Sequence, residues 1–341
     1  MNFLSDNAYG AAPEIAEAIA AACTGTSLPY GQDALTARVE QRLADIFEHE
    51  LAIFPVVTGT AANALALASL TPPYGAVFCH EESHIAVDEC AAPEFFTGGA
   101  KLAHIAGEHA KLTPASVEAA LARFRGGVHS PRPAVISMSQ PTERGTVYTA
   151  REISALSELA RREGLMLHMD GARFANAIVH LGCTPAEITW KAGVDALSFG
   201  ASKNGALCAE AVIFFDRTRA EEFAYRRKRA GHLVSKMRFI SAQLDAYLEQ
   251  DRWLAYACRA NGLAQRMAEG LVRTGVKLAD PVEANEIFAR LPDGLVKMLR
   301  GAGAQFYDWE TSRNGYTLVR LVLSCLTPEE DVARFVELLG S

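Results

Sequence analysis

Short apolar runs recur along the first 215 residues, and segments with a helical period separate most of them. Each run is continuous rather than alternating, which is typical of strands that are buried on both faces of a parallel sheet. The pattern therefore predicts an α/β fold whose mainly parallel, seven-stranded sheet is covered by helices on both faces. The predicted strands are 51–54, 76–79, 102–105, 134–138, 165–169, 196–199 and 211–215, and the clearest helices between them are 61–70, 113–124 and 150–163.

The pattern changes in the last third of the chain. Residues 232–274 are predicted to be helical with a break near Asp251, and after Gly275 short strands and helices alternate at closer spacing. The predicted strands there are 276–279, 286–291 and 318–323, and the predicted helices are 294–300 and 328–339. We therefore expect a large domain over 21–250, a smaller C-terminal α/β domain over 251–341, and an N-terminal segment, 1–20, that packs with the small domain.

Composition excludes several classes of function. The 341 residues are 50% hydrophobic and carry a net charge of −7, a balance that does not favour nucleic-acid binding. No apolar run reaches the length of a membrane span, and the first residues lack the features of a signal peptide. The seven cysteines are odd in number and form no C-x-x-C pair, so we expect neither a disulfide framework nor a metal site, and we expect a cytoplasmic protein.

Two polar residues stand at the ends of neighbouring predicted strands. Asp170 follows one apolar run, and Lys203 follows the next, between Ser202 and a glycine turn. A lysine in this position is suited to form a Schiff base with pyridoxal phosphate, and an aspartate can keep the pyridine nitrogen of that cofactor protonated. Because ligands bind at the carboxyl ends of strands in such sheets, the pair predicts a pyridoxal-phosphate site.

These motifs carry a resemblance to a known family. The segment HMDGARFANA, residues 168–177, resembles the H-x-DGAR-x-x-NA signature of the threonine aldolases, and SFGASKNG, residues 198–205, resembles their cofactor-lysine motif. Segments 4–7, 30–33 and 58–63 match in the same order, so the resemblance covers nearly the whole chain. It implies a fold type I pyridoxal-phosphate enzyme that cleaves L-threonine, L-allo-threonine and related L-β-hydroxy-α-amino acids to glycine and an aldehyde.

Several residues are predicted to hold the cofactor. A glycine turn that opens a helix presents backbone N–H groups to an anion, so Gly59 and Thr60 are candidates for phosphate binding. Ser202 is positioned to donate a hydrogen bond to the same phosphate. The resemblance implies that Lys228 reaches the phosphate of a neighbouring subunit and that Tyr30 also crosses the interface, so a homo-oligomer with shared sites is expected, as a dimer or a tetramer of two dimers.

Other residues are predicted to bind the amino-acid substrate or to act in catalysis. An arginine within a buried strand needs an anionic partner, and by resemblance Ser5, Arg173 and Arg320 hold the substrate carboxylate, with Arg173 also beside the cofactor. Asp88 stands where relatives commonly carry an aromatic residue that faces the substrate. The candidate bases are His84, which by resemblance stacks on the cofactor ring, and His129, which falls near a family histidine close to the substrate.

The sequence leaves alternative functions open. A β-eliminating lyase or an aminotransferase on the same scaffold would share the lysine, the aspartate and the carboxylate-binding arginine. A cofactor-binding regulator is disfavoured because no DNA-binding segment or basic arm is present. A nicotinamide-dependent oxidoreductase is disfavoured because no G-x-G-x-x-G motif follows a predicted strand. Members of the family often carry Glu-Asn-Thr-His before the position of Gly145, where this chain has the different segment 139–144. Thr142 and Glu143 fall near that position, and no cofactor contact is assigned to them.

Overall fold

The computed structural model describes residues 1–340 and contains two sheets. The seven-stranded sheet has the order β1-β7-β6-β5-β4-β2-β3, and β7 is its one antiparallel strand. The second sheet is antiparallel, with the order β10-β11-β9-β8. The strands are β1 Ala52–Val56, β2 Gly75–His80, β3 Lys101–Ile105, β4 Arg132–Ser139, β5 Met166–Gly171, β6 Ala196–Gly200, β7 Glu210–Phe214, β8 Lys277–Leu278, β9 Glu286–Pro292, β10 Tyr307–Arg313 and β11 Tyr316–Val322.

Thirteen α-helices cover the two sheets within residues 1–340. They are α1 Pro13–Ala22, α2 Ala34–Phe47, α3 Gly59–Leu70, α4 His84–Val87, α5 Ala92–Thr97, α6 Pro114–Leu121, α7 Ala150–Glu163, α8 Phe174–Leu181, α9 Glu221–Arg229, α10 Arg238–Leu248, α11 Arg252–Arg273, α12 Asp293–Gly301 and α13 Glu329–Leu339. The predicted seven-stranded, mainly parallel sheet and the smaller C-terminal α/β unit are both confirmed.

Local sequence explains how the main elements begin and end. Helix α7 starts with a capping box, in which Thr149 and Glu152 exchange side-chain and backbone hydrogen bonds, and it ends at Gly164 with a φ of 68°. Strand β2 is buried along its whole length, as its continuous apolar sequence predicts. Helix α3 is rich in alanine and largely buried, which allows it to lie close to the strands of the large sheet.

The polypeptide passes from the large to the small unit through a break between two helices. Gln250 and Asp251 both have a φ of 55°, and they separate α10 from α11, so the predicted break near Asp251 is confirmed. On the other side of the break, α11 packs against both α8 of the large unit and α13 of the small one. The long helix therefore joins the two units rather than belonging to one of them.

The N-terminal segment is divided between the two units, which differs from the predicted single segment 1–20. Phe3 is fully buried in the core of the small unit, where its ring lies 5.3 Å from that of Phe335. Helix α1 instead packs against α10, and Ile15 is part of the core of the large unit. The division follows from the apolar face of α1, which needs a helical partner.

Candidate active site

A cavity of about 400 Å³ lies at the carboxyl ends of β5 and β6. Parallel strands present their carboxyl ends at the same edge of a sheet, and this edge collects the loops that follow them. The structure brings together six of the predicted site residues in the cavity wall, which are Gly59, Thr60, His84, Asp170, Ser202 and Lys203.

Lys203 is held by the tight turn Ser202–Asn204, which directly follows β6. The side chain of Asn204 fixes this turn, because its amide donates to the hydroxyl of Tyr247 at 2.8 Å and to the carbonyl of Trp253 at 2.9 Å. Gly205 then leaves the turn with a φ of 102°, a conformation that favours glycine. The lysine therefore stands on a rigid support at the cavity edge.

Glu210 is a buried carboxylate beside this lysine, and sequence analysis did not identify it. Its Oε1 accepts a weak hydrogen bond from the backbone of Ser202 at 3.4 Å, and both residues line the cavity. Burial raises the pKa of Glu210 to about 7. The Ser202 hydroxyl accepts a hydrogen bond from the backbone N–H of Ala209 at 3.1 Å. This bond joins the two ends of the loop between β6 and β7, and Ser202 also lines the cavity.

Asp170 and His84 are connected through Asn63 and Glu89; by family resemblance Glu89 is expected near the His84 ring, whereas no role was predicted for Asn63. The amide nitrogen of Asn63 donates to Asp170 Oδ2 at 2.7 Å and to Glu89 Oε1 at 2.8 Å. The same Glu89 oxygen lies 2.8 Å from His84 Nδ1. Asp170 also accepts from the backbone of Ala172 at 3.0 Å, so its carboxylate is fixed from two sides.

The electrostatics of this network favour a shared proton between His84 and Glu89. The hydrogen bond to Glu89 raises the pKa of His84, and burial raises the pKa of Glu89. Because Nδ1 faces Glu89, the neutral ring carries its free lone pair on Nε2. His84 is therefore prepared to act as a base through Nε2.

The first turn of α3 forms the part of the cavity suited to an anion. Thr58 caps the helix, since its hydroxyl accepts from the backbone of Ala61 at 3.1 Å. A Cβ atom placed on Gly59 would meet nothing within 4 Å, so open space lies against the backbone there. An open helix N-terminus of this kind attracts phosphate through its N–H groups and its dipole.

The two predicted arginines differ in their partners. Arg173 is partly buried and binds Asp6 through Nε at 2.7 Å and Nη2 at 3.1 Å, while its Nη1 lies 3.1 Å from a Glu286 carboxylate oxygen. Arg320 forms no ion pair within residues 1–340, and its closest polar contact is the carbonyl of Leu4 at 3.4 Å. Of the two, Arg320 is the cation whose charge is free for a substrate anion.

Ser5 lies close to this pair of arginines. It caps the turn Asp6–Ala8, where its hydroxyl accepts from the backbone of Asn7 at 3.1 Å, and Asn7 in turn lines the cavity. The N-terminal segment thus passes between the two units at the place where the substrate carboxylate is expected.

Seven predicted residues do not line the cavity of this chain; Ser5, Arg173 and Arg320 were described above, and the other four are Tyr30, Asp88, His129 and Lys228. The Lys228 ammonium lies 4.6 Å from the ring centroid of Tyr30, and both side chains are on the surface. Asp88 is exposed at the end of α4. His129 precedes β4, whose eight residues rise roughly 25 Å to the edge with the cavity, so His129 cannot reach the cavity of its own subunit.

The loop after β4 contains a further carboxylate, Glu143. Its Oε1 accepts from the His84 backbone at 2.9 Å and from the Ser139 hydroxyl at 2.6 Å, while its Oε2 is buried without a partner. Burial raises the pKa of Glu143 to about 7. This residue therefore anchors the loop that carries His84.

We expect Glu143→Gln to stabilise the protein more at pH 8 than at pH 5. The unfolded carboxyl loses its proton near its ordinary pKa, whereas the folded one keeps it to about 7, so folding stability falls across that interval. Glutamine keeps the two hydrogen bonds to Oε1 but does not titrate, so this pH-dependent fall in the free energy of unfolding disappears. The fall amounts to at most about 3 kcal/mol. Thermal melting of both proteins at the two pH values measures the effect, and an equal difference at both values would contradict it.

The residues of the cavity fit pyridoxal phosphate. The lysine on its fixed turn can attach the cofactor covalently, and the buried carboxylate, held by two donors, can pair with the ring nitrogen. The open helix N-terminus can bind the phosphate. The residues that would hold it are Lys203, Asp170, Gly59, Thr60, Ser202 and His84, with Arg173 nearby.

Comparison with known proteins agrees with this site. A family model described as beta-eliminating lyase matches residues 2–293. The low specificity L-threonine aldolase of Pseudomonas aeruginosa is 47% identical over 308 residues, which cover 90% of this chain and 89% of that protein. The low specificity L-threonine aldolase of Saccharomyces cerevisiae is 25% identical over 326 residues, which cover 91% of this chain and 82% of that protein.

A solved structure of Leishmania major threonine aldolase has the same architecture. Its TM-score with this chain is 0.95 at 27% identity, and the match covers 99% of this chain and 98% of that one. The helix and strand order described above is therefore the order of a solved threonine aldolase. With the matching family model and the close bacterial relative, this shows that the chain belongs to the beta-eliminating lyase family and, within it, to the threonine aldolases.

Proposed function

We propose that this protein catalyses the pyridoxal-phosphate-dependent retro-aldol cleavage of L-threonine, L-allo-threonine and related L-β-hydroxy-α-amino acids to glycine and an aldehyde. The observation that supports this most directly is the placement of Lys203, Asp170 and His84 around one cavity. The 47% identity to a bacterial enzyme named low specificity L-threonine aldolase supports the same reaction.

Each residue of the site has a separate proposed role in the reaction. When bound through Lys203, the cofactor supplies an electron-withdrawing ring beside the substrate Cα–Cβ bond. Asp170 holds a proton on the ring nitrogen, and Arg320, with Ser5 and Arg173 nearby, orients the substrate carboxylate. His84 Nε2 accepts the proton of the β-hydroxyl as the Cα–Cβ bond breaks. General-base catalysis of this kind typically raises the rate by about 10²–10⁴-fold.

The position of His129 changes its proposed role. We favour His84 as the base because it lines the cavity, and His129 can take part only if a partner subunit supplies it. The exposed Asp88 follows α4 directly and is the candidate for contacting the β-substituent.

A product assay tests the proposed reaction. We expect glycine and acetaldehyde from L-threonine and from L-allo-threonine, and glycine and benzaldehyde from L-phenylserine, because the proposed contacts fix the α-carboxylate and leave Cβ to a histidine. The D-enantiomers should react at a small fraction of these rates. Formation of 2-oxobutanoate and ammonia from threonine would instead identify a β-eliminating lyase, and preferential cleavage of D-threonine would contradict the proposed stereochemistry.

We infer that the active unit is at least a dimer in which Lys228 reaches the cofactor phosphate of the neighbouring subunit and Tyr30 crosses the interface to the substrate site. Two observations support this: their side chains lie together on the surface, and neither lines the cavity of its own chain. The free thiols of all seven cysteines support the proposed cytoplasmic location. Within residues 1–340, no helix is both long and apolar enough to cross a membrane.

Lys228→Ala is expected to weaken cofactor retention about tenfold or more, since one charged hydrogen bond contributes about 1.5–3 kcal/mol. The dissociation constant for pyridoxal phosphate measures the change. Arg217→Ala serves as the matched control, because Arg217 is an exposed cation whose contact is with Glu50. Sedimentation should find a dimer or a tetramer, and a fully active monomer would contradict the shared site.

A further inference from the structure

One face of the small sheet packs on the core of the small unit, and the opposite face carries aromatic and charged side chains. Ile287 and Ala289 on β9 point into that core, so Glu286 and Phe288 point to the opposite face. Arg320 on β11 lies directly across from Phe288, and Tyr307 on β10 lies directly across from Arg320. Because Glu286 contacts Arg173, this face meets the large unit beside the cavity.

The Arg320 guanidinium is held mainly by two aromatic rings on this face. Its central carbon lies 5.0 Å from the ring centroid of Trp309 and 5.6 Å from that of Tyr307. Its Nε is buried and has no hydrogen-bond partner. Stacking on a ring face fixes the plane of a guanidinium without using its N–H donors, which remain free for an anion.

A second arginine packs against Trp309, but its charge is already balanced. The Arg144 guanidinium lies 5.8 Å from the Trp309 ring centroid and 5.2 Å from that of Phe288. It binds both carboxylate oxygens of Glu82, at 2.6 Å and 2.8 Å, and has Asp280 at 3.8 Å. Trp309 thus touches two guanidinium groups, and only Arg320 has a charge that still lacks a partner.

We propose that Trp309 is a positioning residue for substrate recognition: its ring holds the Arg320 guanidinium in the plane in which it receives the substrate carboxylate. This proposal rests on the proposed function, which assigns the carboxylate to Arg320. Arg144, fixed by Glu82, also packs against the indole and so restricts its rotation. Trp309 touches Arg320 rather than the reacting atoms, so it acts on binding and not on the bond that breaks.

The test compares two ligands that differ only in the carboxylate. L-Threonine and 1-amino-2-propanol carry the same amine and hydroxyl, but the second has no carboxylate to reach Arg320. Their binding to the holoenzyme is measured from the absorbance change of the cofactor, and kcat and KM are measured for L-threonine. The variants are Trp309→Ala, Trp309→Phe, Arg320→Ala and, as a matched control, Tyr316→Ala, which removes an exposed aromatic ring from the same hairpin.

For Trp309→Ala we expect KM for L-threonine to rise about tenfold with kcat within about twofold, and the affinity for 1-amino-2-propanol to stay unchanged. Trp309→Phe should restore most of the lost affinity, and Tyr316→Ala should match the parent protein. An equal loss for both ligands in Trp309→Ala, or no loss for either, would overturn the proposal. If the alanine variant does not fold, Trp309→Leu replaces it in the comparison with Trp309→Phe.

Arg320→Ala separates this proposal from the function on which it rests. If Arg320→Ala binds L-threonine as well as the parent does, the carboxylate assignment itself is wrong. If Arg320→Ala loses affinity for L-threonine alone while Trp309→Ala does not, the assignment stands and the role given to Trp309 is wrong. Loss of threonine affinity in both variants, with the amine unaffected, is the result that we expect.

Discussion

Replacing Lys203 with alanine is expected to abolish the visible absorbance of the bound cofactor and to lower threonine cleavage by at least about 10³-fold, because no other group in the cavity can replace a covalent attachment by an amine. Lys203 lines the cavity on the turn that follows β6, next to the buried Glu210. The cofactor is then held only through its phosphate and its ring nitrogen.

Two controls make the Lys203 result specific. Lys191→Ala removes an exposed lysine that pairs with Glu48 and lies before β6, at the opposite end of that strand, so it should leave the absorbance and the activity unchanged. Borohydride reduction of the parent protein followed by peptide mapping should label Lys203. A visible band that persists in Lys203→Ala without added amine, or a label on another lysine, would show that the attachment site lies elsewhere.

The large sheet was predictable because its strands are short, continuous apolar runs. A strand buried on both faces of a parallel sheet removes all the side chains of such a run from water. All seven predicted strands match observed strands to within a few residues, and the helix over 150–163 matches α7 at both ends. Strand β10 was not predicted. Most of its residues are exposed and it contains no apolar run, since it is an edge strand whose aromatic residues stack on Arg320 rather than entering a core.

The site was predictable where a single residue follows a strand and not where it depends on contacts between distant segments. Asp170 and Lys203 each follow an apolar run, and the topology then places them together. Glu89 and Asn63 meet only because α3 and the loop after α4 pack against each other, and no periodicity encodes that contact. His129 illustrates a further limit, because a family match in sequence does not reveal at which end of a strand the residue lies or which subunit supplies it.

The second large effect is expected at Asp170, and it can be measured in two independent ways. Asp170→Asn should lower kcat for L-threonine by about 10³-fold, the scale typical of losing a preorganised charge in an active site. The asparagine amide would also face the amide nitrogen of Asn63, which now donates to Asp170 Oδ2 at 2.7 Å, so two donors would oppose each other. Asp170→Ala avoids that clash and should show a similar loss.

The readout that does not depend on activity is the titration of His84 in the protein without cofactor. The negative charge of Asp170 contributes to raising the pKa of His84, after the larger contribution of the hydrogen bond to Glu89. Removing that charge should therefore lower the pKa of His84, which NMR of the imidazole protons can follow. Asp195→Asn is the matched control, since Asp195 accepts from the backbone of Leu167 at the opposite end of the sheet. If both variants shift His84 equally, or if Asp170→Asn keeps full activity, Asp170 is not the partner of the cofactor ring.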